Sequence, residues 1–398
     1  MSLSGCGRMP ANLSLLSAEL RQLQVQMSPQ PQSARLQFSQ RSGLLLVLRD
    51  CEGRIGLGEA SPLPGYSGED LTQCLAQLQM VSFAQLVTEL PYAEGLPDLV
   101  QLEQRVDALA LPAAAGCAVQ TALLDLLGQQ LQLPVTTLLG GAVSTVPVSG
   151  LVAGDTPEQL LASAQLAWSQ GLRVLKVKLG RPGQFEAELA LLKELRSQLG
   201  PTLRLRLDGN RAFALAEAVP KLQALASLTP DVSIELLEEP LQDTRELALL
   251  PASVLRALPL ALDESLQVLP TTDVERLLAS GVVRALVCKP MALGGPLRCL
   301  QLAALAQQYG AATVVTHLFD GPVALAMTAA LALCMPGVLA CGLAAHVGLK
   351  LWPGVTVPQL QGARIASSLA PGLQLHHADS LAASLATLPL LWQQAERG

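Results

Sequence analysis

The pattern of hydrophobic and polar positions changes at residue 146, where short apolar runs begin to alternate with stretches of helical periodicity. Eight runs have the length of strands: VPVSGLV (146–152), LKVKLG (175–180), LRLRLDGN (203–210), IELLEEP (234–240), PLALDES (259–265), RALVCKP (284–290), ATVVTHL (312–318) and VLACGL (338–343). The helical stretches between them include 157–169, 185–199, 213–228, 271–279, 296–308 and 322–334. Near-continuous apolar strands that alternate with helices indicate a parallel sheet buried on both faces, and eight such units close a barrel.

Charged side chains end five consecutive strand runs of this region. They are Lys176 and Lys178, Asp208, Glu238, Asp263 and Lys289. From Lys178 onward the intervals are 30, 30, 25 and 26 residues, which is about one strand, one helix and two loops. A barrel places its catalytic groups at the carboxyl ends of its strands, whereas a doubly wound open sheet gathers its site at one switch point. Because strands two to six all contribute a charge, the pattern favours an α/β fold of the TIM-barrel type.

The N-terminal part has a different, antiparallel pattern. Residues 12–58 contain strand runs at about 34–40 and 43–49, a turn at Glu52-Gly53 and a third run from Ile55 to Glu59. The Gly-, Pro- and Ser-rich stretch EASPLPGYSGED (59–70) predicts an exposed loop. Helical patterns follow at 68–79, 96–109 and 113–131. The tail after Leu349 is rich in Pro and Gly, and we expect it to pack back against the N-terminal segment.

Composition narrows the classes of function. At 398 residues the chain exceeds one usual domain, and a net charge of −6 gives no electrostatic footprint for nucleic acid or anionic lipid. The eight cysteines form no CxxC pair, which is typical of buried free thiols in a reducing compartment rather than of a zinc site. No charged N-terminal region precedes an apolar stretch, so the cytoplasm is the expected location.

One uncharged stretch, from Gly321 to Leu349, is long enough to suggest a membrane span. Pro336-Gly337 interrupts it, however, and two shorter elements fit the pattern better. We therefore expect a buried helix at about 322–334 and a buried strand at 338–343, and no membrane partner.

Asp208, Glu238 and Asp263 are the candidate metal ligands. Carboxylate oxygens suit Mg²⁺ or Mn²⁺, and no Cys or His stands at these positions. A single acidic residue after a strand is often only a helix N-cap, but three on adjacent strands would repel one another unless a cation joined them. Glu239 follows Glu238 and Glu264 follows Asp263, so strand alternation alone does not choose within either pair.

The lysines are the candidate acid–base groups. Lys176 and Lys178 are two residues apart, so both face the same side of a strand, which in a barrel can be the crowded interior. Lost hydration and a nearby metal cation both lower the pKa of a lysine, and a lysine tuned toward neutrality can take a proton from carbon. Lys289 lies four strands away, across an eight-stranded ring. A small carboxylate substrate bound between Lys178 and Lys289 would have one lysine on each of its faces, and one of them could remove its α-proton.

These motifs resemble the enolase superfamily, in its muconate-lactonizing subgroup, and are most similar to those of o-succinylbenzoate synthases. The core motifs stand in the family's order and spacing: KVK (176–178), LDGN (207–210), LLEEP (236–240), LDES (262–265) and CKP (288–290). Four further segments are similar to the family's capping-domain loop over the active site, its first long helix, its first barrel strand and its closing segment. They are GEASPLPGYS (58–67), AVQTALLDLLG (118–128), VPVSGLV (146–152) and APGLQL (370–375).

The resemblance implies an α+β capping domain on a (β/α)₇β barrel. On that basis we expect a cap at residues 1–112, a catalytic barrel at 113–345 and a C-terminal segment at 346–398 that packs back on the cap. The resemblance also implies Mg²⁺ on Asp208, on the first Glu of the EEP motif (Glu238) and on Asp263. A lysine base beside Mg²⁺ is the general pattern of enolase-superfamily sites.

The resemblance further implies a role for each lysine. Lys178 would remove the α-proton and, once protonated, assist departure of a hydroxyl in a syn elimination. Lys289 would stabilise the enediolate through its charge, and Lys176 would keep the pKa of Lys178 low. The implied reaction converts 2-succinyl-6-hydroxy-2,4-cyclohexadiene-1-carboxylate to 2-succinylbenzoate, an intermediate of menaquinone or phylloquinone synthesis.

The chain departs from the family on strand seven, where Ser-Ser followed by Glu-Ser is usual. Here the sequence reads THLFDG (316–321), and its candidate substrate contacts are Thr316, His317 and Asp320. His317 is either a substrate contact or a packed core histidine. Asp320 either replaces the glutamate or caps the next helix. Of the other histidines, His346 lies just beyond strand eight, near the predicted barrel mouth. His376 and His377 lie in the tail, where solvent exposure is expected.

Several rival functions use the same machinery. An N-succinylamino acid racemase would employ Lys178 and Lys289 on opposite faces, and a muconate-type cycloisomerase is a further alternative. A dipeptide epimerase usually carries a DxD motif on strand eight, and Cys341-Gly342-Leu343 offers none. A non-catalytic barrel that only binds a carboxylate would not need all six site charges. The pattern leaves the oligomeric state open.

Overall fold

The computed structural model describes residues 13–27, 39–141, 143–344, 358–375 and 378–395. Its strands are β1 (Leu15–Gln26), β2 (Gln40–Asp50), β3 (Ile55–Ala60), β4 (Tyr92–Ala93), β5 (Leu96–Pro97), β6 (Thr145–Pro147), β7 (Gly150–Leu151), β8 (Val174–Lys178), β9 (Arg204–Asp208), β10 (Ile234–Glu238), β11 (Leu260–Leu262), β12 (Val283–Cys288), β13 (Ala312–Val315), β14 (Leu360–Gln361), β15 (Arg364–Ala366) and β16 (Leu390–Ala395).

The helices follow the same chain order. They are α1 (Leu71–Leu78), α2 (Phe83–Val87), α3 (Leu99–Asp107), α4 (Ala113–Leu131), α5 (Val135–Leu138), α6 (Pro157–Ser169), α7 (Phe185–Leu199), α8 (Leu215–Ser227), α9 (Ala252–Ala257), α10 (Thr271–Ala279), α11 (Pro290–Leu293), α12 (Pro296–Gln308), α13 (Pro322–Ala332) and α14 (Ala378–Ala386). Two 3₁₀ helices span Thr244–Leu249 and Glu264–Gln267.

Strands β7 to β13 form one parallel sheet in chain order. The predicted eighth strand closes this sheet into a ring. On one side the Leu339 N–H donates to the Thr313 carbonyl at 2.8 Å. On the other side the Cys341 N–H donates to the Pro147 carbonyl at 2.8 Å, and the bridge between Val148 and Cys341 is parallel. The predicted barrel fold is therefore confirmed.

Strand alternation divides the barrel into an inner and an outer core. Small and branched residues fill the inside, in a separate cluster of Leu236, Ala261, Ala285, Val287 and Val314. Their neighbours along the strands point outward and pack against the helices in a much larger cluster. This alternation decides which charged residue at the end of each strand points into the barrel mouth.

The cap is a four-stranded antiparallel sheet in the order β16-β1-β2-β3. Pairing of β16 with β1 confirms the prediction that the tail packs back on the N-terminal segment. The predicted run at 43–49 lies in β2 and the run at 55–59 in β3, whereas the run at 34–40 falls mostly outside the described residues. β1 was not predicted. A bulge between Leu15 and Ser17 leaves Leu16 unpaired with β2, so the buried residues Leu15, Ala18 and Leu20 do not keep an even spacing.

Helix α4 has the predicted bounds and packs against β3 of the cap. Gly58 of β3 lies so close to α4 that a Cβ at this position would overlap the Ala118 carbonyl, so only glycine allows this approach. The buried residues of α4 belong to the same hydrophobic cluster as β2 and β3. The division of the chain at residues 112 and 345 stays a prediction.

The uncharged stretch that begins at Gly321 contains α13, and every residue of this helix is buried. Among the described residues, no helix combines the length and apolar character that a membrane crossing requires. The expected buried helix is therefore present.

Candidate functional site

The carboxyl ends of β9, β10 and β11 bring three predicted acidic residues together. Asp208 and Glu238 end neighbouring strands and are paired in register, and Asp263 directly follows β11. Each of the three offers a carboxylate oxygen, and these oxygens lie within 4.8 Å of one another. All three residues are buried. The site therefore concentrates negative charge where water is largely excluded.

The alternation of side chains along each strand places Glu238 and Asp263, rather than their acidic neighbours, on the inner face of the barrel. Glu238 shares the inner face with Leu236, whereas the Glu239 carboxylate turns toward the loop after β11. There it accepts the backbone N–H groups of Asp263 at 2.7 Å and Ser265 at 3.0 Å, and the Ser265 hydroxyl at 2.7 Å. Glu239 thus fixes the backbone that carries Asp263.

The Lys176 ammonium lies within the acidic cluster. Its Nζ is 2.7 Å from Asp208 Oδ2, 2.5 Å from Glu238 Oε2 and 4.0 Å from Asp263 Oδ2. Burial alone would lower the pKa of Lys176, but Asp208 and Glu238 together raise it above its ordinary value. This lysine stays charged and offsets part of the repulsion among the carboxylates.

The donor set fits a hard divalent cation. Burial raises the pKa of Glu238 to about 7, since Asp208 and Asp263 add to the effect and Lys176 only partly opposes it. A carboxyl group that resists ionisation at neutral pH shows that Lys176 alone does not balance the cluster. Three buried carboxylates with oxygen donors only are a suitable set for Mg²⁺ or Mn²⁺.

Lys178 ends β8 in register with Asp208 of β9. Burial lowers its pKa to about 8, and the positive charges of Lys176 and Lys289 contribute in the same direction against the pull of Asp208. Among the described residues, no carboxylate forms an ion pair with Lys178 within 4.0 Å. The lowered pKa of Lys178 agrees with the expectation for a lysine crowded inside a barrel, and a sizeable fraction of the amine is neutral near pH 8. The role of Lys178 as a base stays a prediction.

Lys289 follows β12, four strands along the sheet from β8, and is 8% exposed. Its Nζ lies 2.6 Å from Asp263 Oδ2. Burial would lower the pKa of Lys289, but Asp263 raises it above the ordinary value. The two lysines therefore differ: one is tuned toward neutrality and the other is held as a cation.

Tyr66 is a site residue that the sequence did not single out. It lies in the segment between β3 and α1, which we call the cap loop (61–70). Its hydroxyl donates to Asp263 Oδ1 at 2.9 Å and accepts from Lys289 Nζ at 2.8 Å. The Lys289 Nζ is also 4.4 Å from the centre of the Tyr66 ring. The only sequence signal was the resemblance of this loop to one that covers the active site.

The cap loop also differs from the predicted exposed loop. Ser61, Pro62 and Leu63 are buried, because this part of the loop packs between β2 and the barrel. Its tip at Pro64 and Gly65 is exposed, as are Gly68 and Asp70 toward its end. Loop composition predicted the irregular backbone correctly but gave no indication of this tertiary cover.

The strand-seven segment (316–321) lies beside this loop. The Thr316 hydroxyl donates to the Gly342 carbonyl at 3.1 Å, and the His317 ring contacts the backbone through both nitrogens. Nδ1 accepts from the Phe319 N–H at 3.0 Å, so Nε2 carries the proton and donates to the Ala344 carbonyl at 3.1 Å. Burial lowers the pKa of His317 to about 4, so the ring is neutral.

Asp320 is buried and faces the Arg41 guanidinium of β2 at 3.8 Å. The cap of α13 comes instead from Glu59, which accepts the N–H groups of Gly321 at 2.7 Å and Ala324 at 3.2 Å. The proposed substrate contacts of Thr316, His317 and Asp320 stay predictions. His346, His376 and His377 lie outside the described residues.

Comparison with known proteins identifies the family. Residues 159–377 match the family described as enolase C-terminal domain-like. Residues 17–140 match the mandelate racemase / muconate lactonizing enzyme N-terminal domain. The first match covers more than half of the chain.

Individual relatives carry several activities. A hydrophobic dipeptide epimerase of Enterococcus faecalis is 33% identical over 192 residues, 48% of this chain and 51% of the relative. An o-succinylbenzoate synthase of Thermobifida fusca is 33% identical over 202 residues, 50% of this chain and 59% of the relative. The matched region thus spans between about half and three fifths of the length of these two relatives.

A solved structure covers more of the chain. The dipeptide epimerase of Methylococcus capsulatus, complexed with Mg and the dipeptide L-Arg-D-Lys, has a TM-score of 0.78 and 25% identity. It covers 92% of this chain and 100% of its own. With both domains matched and the barrel closed, the chain belongs to the enolase superfamily, as an enzyme of the mandelate racemase / muconate lactonizing type.

Proposed function

We propose that the protein is a Mg²⁺-dependent lyase of the o-succinylbenzoate synthase type. Its substrate would be 2-succinyl-6-hydroxy-2,4-cyclohexadiene-1-carboxylate and its product 2-succinylbenzoate. The observation that carries the proposal is the pair of lysines with opposite pKa shifts, Lys178 lowered and Lys289 raised, on either side of the acidic cluster. One lysine is suited to accept a proton and the other to hold a positive charge beside a developing anion.

Asp208, Glu238 and Asp263 would hold the metal. When bound, the divalent ion supplies a Lewis acid that offsets the negative charge of the substrate carboxylate. Mn²⁺ has the same ligand preference and is a possible substitute.

The neutral Lys178 amine would take the α-proton, and the C–H electron pair would form the new carbon–carbon double bond. The resulting Lys178 ammonium would then return a proton to the hydroxyl group that leaves as water from the same face. Lys289, held protonated by Asp263 and aligned by Tyr66, would face the substrate oxygens from across the barrel. Lys176 would keep its positive charge near Lys178 and so help to keep that amine neutral.

The residues at the end of strand eight favour this proposal over dipeptide epimerisation. A dipeptide carries a free ammonium group, which a carboxylate would bind best. Residues 338–344 contain no Asp or Glu, and a Cβ at Gly342 would overlap the Thr316 hydroxyl. This arrangement supports a substrate without an ammonium group at that position, such as the cyclohexadiene carboxylate or an N-succinyl amino acid.

Dipeptide epimerisation remains the second candidate, because relatives with that activity match the chain. N-Succinylamino acid racemisation would use the same two lysines. The test is a parallel assay of the purified protein with Mg²⁺ on the cyclohexadiene carboxylate, on N-succinyl amino acids and on hydrophobic dipeptides. We expect the largest kcat/KM on the first. A larger value on either of the others would transfer the assignment to that activity.

The pH dependence of the reaction should report the ionisation of the Lys178 amine. Because this residue acts as a base, only its neutral form is active, and its pKa is about 8. We expect kcat/KM to rise with pH up to about 8 and to fall about tenfold per pH unit well below that value. A profile that stays flat from pH 6 to pH 9 would contradict the role of a lysine base.

A further inference from the structure

Arg41 of β2 connects the cap loop to the strand-seven segment. It is 1% exposed, although it carries a charge. Its Nη1 donates to the Pro62 carbonyl at 2.8 Å, and its Nη2 donates to the Ser61 carbonyl. Toward the barrel its Nε donates to the Phe319 carbonyl at 3.1 Å, and Asp320 lies 3.8 Å from the guanidinium.

Glu59 makes a second connection between the same two segments. It is fully buried, accepts the Ser61 hydroxyl at 2.6 Å on the cap side and caps α13 on the barrel side. The cap loop is therefore joined to the strand-seven segment by two charged side chains, one from β2 and one from β3. Within the described part of the chain, neither of them forms a hydrogen bond or an ion pair with the lysines or the acidic cluster.

This arrangement depends on the shape of a guanidinium. Burying a cation is costly unless its donors are satisfied, and Arg41 meets this condition through the planar fork of its three nitrogens. A lysine has the same charge but a single nitrogen, so it would not reach the carbonyls of both segments at once. Five residues beyond Ser61, the cap loop carries Tyr66 onto Lys289 and Asp263.

We propose that Arg41 is a positioning residue that, with Asp320, holds the cap loop and the strand-seven segment in one register. It thereby sets the place of Tyr66 over the site. This explains the aspartate at position 320 of the divergent strand-seven segment, because its carboxylate forms an ion pair with the Arg41 guanidinium. The kinetic part of the inference rests on the proposed function, whereas the structural part does not.

The test follows Tyr66 directly. The chain has three tyrosines, Tyr66, Tyr92 and Tyr309, so protein labelled with 3-fluorotyrosine gives three ¹⁹F NMR lines. Tyr66→Phe and Tyr92→Phe variants assign them. We expect Arg41→Lys to shift or broaden the Tyr66 line and to leave the other two in place. Arg49→Lys is the matched control, since Arg49 lies at the other end of the same strand, where it pairs with Glu19, and it should move no line.

Asp320→Asn provides a second variant that keeps the size of the side chain and removes its charge. It should also move the Tyr66 line, which decides the matter if Arg41→Lys does not fold. In the assay on the substrate that the protein prefers, both variants should raise KM about tenfold or more, with a smaller change in kcat. An unmoved Tyr66 line in a folded Arg41→Lys or Asp320→Asn protein would overturn the inference, whether or not the protein acts on the cyclohexadiene carboxylate.

Discussion

Replacing Lys178 by alanine should lower kcat by about 10²- to 10⁴-fold, the range found when a positioned general base is removed. The expected loss follows from the structure of the site: Lys178 is the mostly buried amine whose pKa falls toward neutrality, while Lys176 and Lys289 are held as cations. Neither of those two is available to accept a proton in its place. The measurement is steady-state kinetics on the preferred substrate at saturating Mg²⁺.

The control for this variant is Lys193→Ala, which removes an exposed lysine of α7 and should leave kcat unchanged. Mg²⁺ affinity, measured by calorimetry, should also be retained in Lys178→Ala, because this lysine is not a ligand. A Lys178→Ala enzyme with kcat within about tenfold of the unmodified protein would show that another group is the base.

Replacing Glu238 by glutamine should weaken Mg²⁺ binding by about a hundredfold or more and lower activity with it. Glu238 supplies one of three clustered carboxylates, and a neutral amide binds a hard cation far less well than a carboxylate does. Calorimetric titration with Mg²⁺, or electron paramagnetic resonance with Mn²⁺, measures the affinity without reference to turnover.

The neighbouring residue offers a matched control. Glu239→Gln changes an equally buried carboxylate that binds backbone N–H groups and the Ser265 hydroxyl. We expect it to cost about 1–3 kcal/mol of stability and to retain most of the metal affinity. If Glu239→Gln lost the metal and Glu238→Gln kept it, then Glu239 rather than Glu238 would be the metal ligand of β10.

The barrel and its six charges were predictable from the sequence because both follow from local repetition. Apolar strands that alternate with helices indicate a buried parallel sheet, and the charges end strands at intervals of 25 to 30 residues. The helix bounds of α4, α6 and α12 agree with the sequence for the same reason. Each depends on a pattern within one short segment.

What the sequence left open depends on contacts between distant segments. The choice between Glu238 and Glu239 required the inner face of β10, which only the closed barrel defines. Tyr66 reaches Lys289 across 223 positions of the chain, and no local pattern reports such a contact. The same holds for Arg41, whose burial depends on carbonyls of the cap loop and of the strand-seven segment.

The central claim is that Lys178, beside a dication held by Asp208, Glu238 and Asp263, makes a carbon-bound α-proton labile. Proton NMR in D₂O tests it most directly, with N-succinyl amino acids as substrates. Their α-carbon receives a proton or a deuteron back, so exchange at that carbon can be followed. We expect the α-proton signal to disappear with enzyme and Mg²⁺, and to persist with a chelator or with Lys178→Ala. Equal loss of the signal in the chelated enzyme or in the Lys178→Ala variant would contradict the account.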